Sequence, residues 1–399
     1  MKRYLILAFA FMMCVGSTGC GVQSGEKQTE SKADSVMISE DSTVKSNASK
    51  EPLSINVKDS ANKISVTETE LSEIAASEED DYVRINNNLA EYFFLHSYKD
   101  GYFYAVQKPE IDGPDEVFFY RDSQGQLSEC EDFPDGMDYY ILYSFDDSIY
   151  YYDESYVKRW QNGKETDIIE CNVGFTRDVT LTEDYIYYLD VDEDEDASYI
   201  GRADYEGEES RQLYALDVCV EDICFYQDAI WFTYSDFGND DDIWKLGKLD
   251  LSSHAVDVYD NLQLADSGGL YGRISINNGF VYFNSPDFQR LNIKDNTVET
   301  ISKDEVDGLN FVDDSILFFK GKKIYRANND EIKKIMTVKH CDGIGGINVL
   351  DGKIYIKTYA GSMHDEIYQI DLEGNTVDKV YEGEWADELK KKIKKGEKD

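Results

Sequence analysis

Signatures of catalysis are scarce in this 399-residue chain. It has four histidines, His96, His254, His340 and His364, and neither a His-Glu-x-x-His nor a Gly-x-Ser-x-Gly segment. That removes the motif-level case for a metalloprotease or a serine hydrolase, and the chain is expected not to be an enzyme. His96 ends a strand that would face inward, and a structural role is expected of it. Basic residues are outnumbered, with 40 Lys and Arg against 81 Asp and Glu, a formal charge of −41. Such a balance excludes nucleic acid as a partner. Zinc-type Cys-x-x-Cys spacing is absent. Outside the first 20 residues there are five cysteines, Cys130, Cys171, Cys219, Cys224 and Cys341, an odd number that argues against a complete disulfide framework. Cys219 and Cys224 flank Glu221-Asp222 and would bridge a tight turn only with Cα atoms within about 7 Å. Buried free thiols are the expectation. After residue 19 no run of 18 apolar residues occurs, so no transmembrane helix is expected downstream. Residues 21–81 lack aromatics altogether.

What is present begins with an export signal. Lys2 and Arg3 precede a short apolar stretch over residues 4–15, too short to span a bilayer. Gly16, Ser17, Thr18 and Gly19 then lead to Cys20. This arrangement resembles a bacterial lipobox, with Ser17 standing where Leu is usual. The resemblance implies cleavage after Gly19, lipid on Cys20, and a chain held at the outer face of the bacterial cytoplasmic membrane. Residues 20–81, rich in Ser, Thr, Glu, Lys and Asp, cannot bury enough apolar surface to offset their conformational entropy. They read as a tether with a reach of roughly 40–50 Å. Ile55-Asn56-Val57 and Ile64-Ser65-Val66 are candidates for short strands docking on the following domain, and 71–76 for a single helical turn.

From Tyr82 the composition changes. Of 53 aromatic residues, 50 lie beyond residue 81. They recur in frame: Phe103-Tyr104, Ile149-Tyr150-Tyr151, Ile186-Tyr187-Tyr188, Ile230-Trp231-Phe232, Val281-Tyr282-Phe283, Ile316-Leu317-Phe318 and Ile354-Tyr355-Ile356. The spacings are 46, 37, 44, 51, 35 and 38 residues. Each copy is followed by an apolar residue, a long polar residue two on, Asp or Asn two further on, and a Gly-like turn position. Ile200, Arg202, Asp204 and Gly207 show the frame, as do Ile367, Gln369, Asp371 and Gly374; at Tyr156, Lys158, Trp160 and Gly163 a Trp replaces the Asp. A further strand precedes each anchor and another follows each turn. Four short strands per unit of about 40 residues define a β-propeller blade, here seven, with six or eight as the neighbouring counts. An all-β sandwich is the alternative. The propeller is assigned to 82–383 and a Lys-rich helix to 384–399, with Trp385, Leu389 and Ile393 on one face.

The Tyr-Tyr-Leu-Asp run at 187–190 and the Ile-Gly-Arg-Ala-Asp-Tyr-Glu-Gly run at 200–207 resemble the YWTD-type propellers of low-density lipoprotein receptor relatives. They resemble still more the bacterial lipoprotein domain family named for that likeness. The resemblance covers about 90–382 and implies fold more than activity.

Acid concentrates between the second and third strands of the units, at 112–116, 153–154, 190–196, 236–242 and 365–366. In a propeller these loops share one face. Asp190, Asp192, Asp194, Asp196, Asp240, Asp241 and Asp242 are the candidate ligand or cation residues. An EF-hand is excluded, because Glu195 stands where Gly is needed and Gly201 where the bidentate Glu is needed; a looser Ca²⁺ site is the remaining cofactor candidate, and no other cofactor is expected. The favoured reading is a monomeric, lipid-anchored scaffold or sensor that binds an extracellular protein, peptide or glycan. The alternatives are a carbohydrate-active propeller with paired carboxylates and a solute-capture protein for a transporter.

Overall fold

The aromatic anchors alternate because each blade is covered on both sides. In Tyr185–Asp192 of the computed structural model, Ile186 and Tyr188 face one neighbouring blade, while Tyr187 and Leu189 face the other. Side chains of a strand point alternately to the two faces of its sheet. Burial on both faces therefore demands the near-continuous apolar runs seen in the sequence. The same division places Ile230 and Phe232 against one neighbour and Trp231 against the next. Residues 51–90, 94–110, 113–130, 133, 141–145, 148–153, 156–171, 178–192, 196–237, 243–265, 273–329, 331–339, 341–360 and 364–382 are described.

Seven antiparallel sheets form the propeller, as expected. Blades 1 to 7 span 96–129, 141–170, 179–216, 219–265, 275–302, 308–337 and 343–382. Each contributes four consecutive strands, the first lining a central channel and the fourth lying outermost. The long interval after Ile230 belongs to blade 4, whose last two strands, Ile243–Asp250 and Val256–Ala265, are long. Among the described residues no strand is exchanged between the ends of the ring. Blades 7 and 1 meet through side chains instead: Phe94, Leu95 and Tyr104 pack with Tyr355, Ile367 and Tyr381. The Tyr104 hydroxyl donates to the Val380 carbonyl at 3.2 Å, and Arg121 pairs with Asp378 at 2.6 Å.

The Asp or Asn of the repeated frame caps the turn between the third and fourth strands. Asp122 accepts the backbone N–H groups of Gln124 and Gln126, Asp204 those of Glu206 and Glu208, and Asp371 those of Glu373 and Asn375. Asp250 accepts from the backbone and hydroxyls of Ser252 and Ser253, and the Ser253 N–H in particular holds its carboxyl well below the usual carboxylate range. A depressed folded-state pKa adds stability above the unfolded value, lost as pH falls through the folded one. Asn fills the same position at 292 and 328. Asp250→Asn is therefore expected to fold but to melt below wild type at pH 7 and to approach it as pH falls. Between pH 4 and pH 2 its melting temperature should fall less steeply than that of wild type, measured by circular dichroism.

The aromatic-free stretch contributes structure as well. Strands β1 (Leu53–Ile55), β2 (Asn62–Ile64) and β3 (Thr67–Thr69) each add, in parallel, a fifth strand to the outer edges of blades 3, 4 and 5. This strap also drops apolar side chains into successive clefts. Val57 lies between blades 3 and 4, Ile64 and Val66 between 4 and 5, and Ile74 between 5 and 6. Regular structure is thus present about 30 residues before the composition change at Tyr82. The strap is anchored by a few apolar residues and by backbone pairing, which average composition does not register.

Candidate functional site

The chain leaves the strap across the cleft between blades 5 and 6. There the buried Arg290 guanidinium, paired with Glu299 at 2.6 Å, donates to the Ser72 hydroxyl and the Glu73 carbonyl, both at 3.0 Å. The chain then enters the channel as helix α1 (Asp81–Ala90). Asp80 caps it, accepting the Tyr82 and Val83 N–H groups at 2.8 and 3.3 Å. Glu78, Glu79, Asp80 and Asp81 crowd its positive end, and Arg273 donates to the Ala90 carbonyl at its negative end. Ten residues make a rod of about 15 Å, and it lies against the first strands of blades 3 to 7.

Three consecutive asparagines fix the helix there. Asn86 accepts the Leu181 N–H at 2.8 Å and donates to the Leu181 carbonyl at 3.0 Å. Asn87 does the same with Ile276, at 3.0 and 2.8 Å. Asn88 does so with Val349, at 3.0 Å each way, and also accepts from Asn310 at 2.7 Å. A carboxamide carries one acceptor and donors in the arrangement of a peptide group. Each asparagine thus pairs with an inner strand as a neighbouring strand would, reaching blades 3, 5 and 7 within one helical turn. All three are buried. The apolar positions Tyr82, Ile85 and Leu89 face the cleft between blades 2 and 3. The helix thus occupies the channel on the side of blades 3 to 7.

At the N-terminal end of α1 the described residues leave an open mouth, a cavity of about 860 Å³. Glu78, Glu79, Asp81, Tyr82 and Arg84 line it from the inserted segment, and Tyr98, Lys99, Tyr143, Asp313 and Asp351 from the hairpins between first and second strands. Glu78 is committed to the wall, accepting from the Tyr226 hydroxyl at 3.3 Å and the Asn278 N–H at 3.0 Å. Burial first, and then the charge of Glu78, push the Tyr226 hydroxyl up to about 12. Tyr82 is raised by burial and by Glu183, Asp184 and Asp80. Arg84 is folded back on Asp81 and the Glu78 and Glu79 carbonyls. Five carboxylates against two cations, among three tyrosine rings, suit a cationic group.

This mouth lies on the face opposite the acidic loops singled out in the sequence. Of those residues, Asp190 accepts from Gln212 at 3.1 Å, while Asp192 and Asp196 are exposed at the end of the blade 3 hairpin, Asp196 with φ of 50°. Asp194, Asp240, Asp241, Asp242, the lipidation candidate Cys20 and the Lys-rich 384–399 segment lie outside the described residues. Among the described residues no cluster of three or more His, Cys, Asp or Glu is placed to hold a metal. His96 is buried and stacks on Phe103, with ring centres 5.0 Å apart. Cys219 and Cys224 sit on one extended strand, Cys219–Tyr226, which separates them by about 16 Å, too far to bridge each other. Composition hid the mouth and the plug, although the apolar spacing of Tyr82, Ile85 and Leu89 behind Asp80 is a helix signal.

Fold and site together define a β-propeller whose channel holds its own N-terminal segment. No protein-family model matches the chain, and no curated protein matches its sequence. Solved structures do share the fold. The β-propeller domain of the trilobed protease from Pyrococcus furiosus, reported to have an open velcro topology, is similar with a TM-score of 0.51 and 11% identity, over 73% of this chain and 98% of that domain. A puromycin-hydrolyzing peptidase of Mycobacterium tuberculosis is similar with a TM-score of 0.52 and 10% identity, over 78% of this chain and 56% of the peptidase. An acylaminoacyl peptidase of Pyrococcus horikoshii gives 0.51 and 12%, over 77% and 55%. The chain therefore spans about half the length of these two peptidases. At such identities the likeness is one of fold, and it runs to peptidase propellers; the resemblance to YWTD-type lipoproteins rests on the sequence pattern alone. The comparisons overturn the expectation that the chain is not an enzyme. This fold occurs within peptidases, so the missing His-Glu-x-x-His and Gly-x-Ser-x-Gly segments exclude nothing about the assembly a propeller serves.

Proposed function

We propose that this chain is an extracytoplasmic binding module, held at the outer face of a bacterial membrane by lipid on Cys20, that takes a cationic segment of a protein or peptide at the channel mouth. The acidic mouth carries this reading. It presents Glu79, Asp81, Asp313 and Asp351 beside Tyr82, Tyr98 and Tyr143. Carboxylates and tyrosine faces together attract ammonium and guanidinium groups. Lys99 already lies 4.8 Å from the centre of the Tyr98 ring.

Oligolysine should raise the melting temperature by several degrees, and Glu79→Gln/Asp351→Asn should remove at least half of that shift. An equal shift in the variant would assign the binding to general acidity and end the mouth assignment. Cys20→Ser should move the protein from the membrane fraction to the soluble fraction of cells. Retention in the membrane would remove the lipid anchor from the reading.

A further inference from the structure

Blade 6 interrupts the acidic character of the chain. Its outer strand, Ile332–Thr337, carries Lys333 and Lys334, with Lys322, Lys323 and Lys339 on either side, all exposed. None of the five forms an ion pair with a described residue, although acids outnumber bases two to one in the chain. The strand is an edge: no described strand pairs with its outer side. Ile332 on it is 44% exposed.

The three preceding blades show what such an edge accepts. Each takes a three-residue parallel strand from the strap, and the strap turns inward at the cleft before blade 6. Side-chain charge is matched where it can be: Lys63 of β2 pairs with Asp260 of the blade 4 edge at 3.7 Å. The strand added to blade 5, β3, is Thr67-Glu68-Thr69, followed by Glu70. Its composition suits the lysines one blade further on.

We propose that the outer edge of blade 6 at Ile332–Lys334 is a docking site for an extended acidic peptide segment of a partner protein, added as a fifth strand in the manner of β3 on blade 5. Backbone pairing supplies affinity, Lys333 and Lys334 select acidic side chains, and Ile332 offers an apolar anchor. Lysines on edge strands also guard against edge-to-edge aggregation. The two roles are compatible, since these charges repel a second copy of the same edge and attract an acidic strand. The site lies at the rim, away from the channel mouth, and stands whether or not the mouth binds a cation.

The probe is a fluorescently labelled synthetic peptide with the sequence of residues 64–71, followed by anisotropy against the mature chain at low and moderate salt. Binding is expected, weakening with salt. Lys333→Glu/Lys334→Glu should reduce affinity at least tenfold, and Lys333→Gln/Lys334→Gln should fall between. These side chains are exposed, so unchanged circular dichroism serves as the folding control. A peptide N-methylated at alternate backbone positions should not bind, nor should one with Glu68→Lys and Glu70→Lys. Absence of binding by the acidic peptide overturns the proposal. So does equal affinity for the charge-reversed protein, which would mean exchange with β3 on blade 5, or equal affinity of the N-methylated peptide, which would mean charge attraction without strand addition.

Discussion

Asn88→Ala is expected to destabilise the propeller by about 2–4 kcal/mol. It strands the buried Val349 N–H and carbonyl and removes one of the two acceptors of the Asn310 amide. An unpartnered buried backbone group costs about 1–3 kcal/mol. Asn87→Ala should behave similarly through Ile276. Asn87→Asp discriminates between this account and simple loss of volume. A carboxylate can accept the Ile276 N–H but cannot donate to its carbonyl, and its charge would be buried. Asn87→Asp should therefore be less stable than Asn87→Ala at pH 7 and recover part of the difference near pH 4, where the protonated acid donates. Denaturant titration gives the order, and amide hydrogen exchange at Leu181, Ile276 and Val349 locates the loss. If the two Asn87 variants prove equally stable, the amide pairing is not what seats the helix.

The second large effect is at Arg290. Its side chain is fully buried, with its guanidinium carbon 4.1 Å from the centre of the Phe280 ring, and among the described residues it alone pairs with the buried Glu299. Arg290→Ala leaves that carboxylate uncompensated, at a cost of about 3–5 kcal/mol. Arg290→Met/Glu299→Leu should restore most of this loss, because a buried ion pair is close to neutral against apolar residues of similar size. What the double variant cannot restore is the grip on Ser72 and Glu73. It should fold, yet its strap should be cut at Lys58 and Lys63 by trypsin several-fold faster than in wild type. Equal cleavage would show that Ile74 and the β-strand pairing hold the strap without the arginine.

These two sites mark the limit of what the sequence discloses. The blades are legible because a strand covered on both faces must be apolar at every position and must end in a capped turn; Ile186–Leu189 and Asp204 carry both signals. Blade number follows from counting them. The plug is hard to read because Asn86-Asn87-Asn88 is a polar run of poor helix formers. Its partners are backbone groups of strands 95 to 261 residues away. Arg290 occupies the ordinary long-polar position of the repeat, as Arg202 and Arg326 do, and only its burial against the strap sets it apart. The mouth is assembled from hairpin turns and a segment that composition assigns to the tether. The acidic residues, by contrast, stand out in composition because they are many, which is also why abundance says little about use.

The inserted helix has a consequence for biogenesis. Residues 81–90 leave the ribosome before any blade exists to receive them. Asn86 meets its strand after 95 residues, Asn87 after 189 and Asn88 after 261. The ring is therefore built around its axle rather than threaded by it. Each arriving blade has a fixed point to register against, and blade 7 reaches Asn88 only as it meets blade 1. Contacts of such sequence separation form late and slowly. The step that closes the ring and the step that locks its hub are then the same event, so a chain stalled before residue 349 would hold neither.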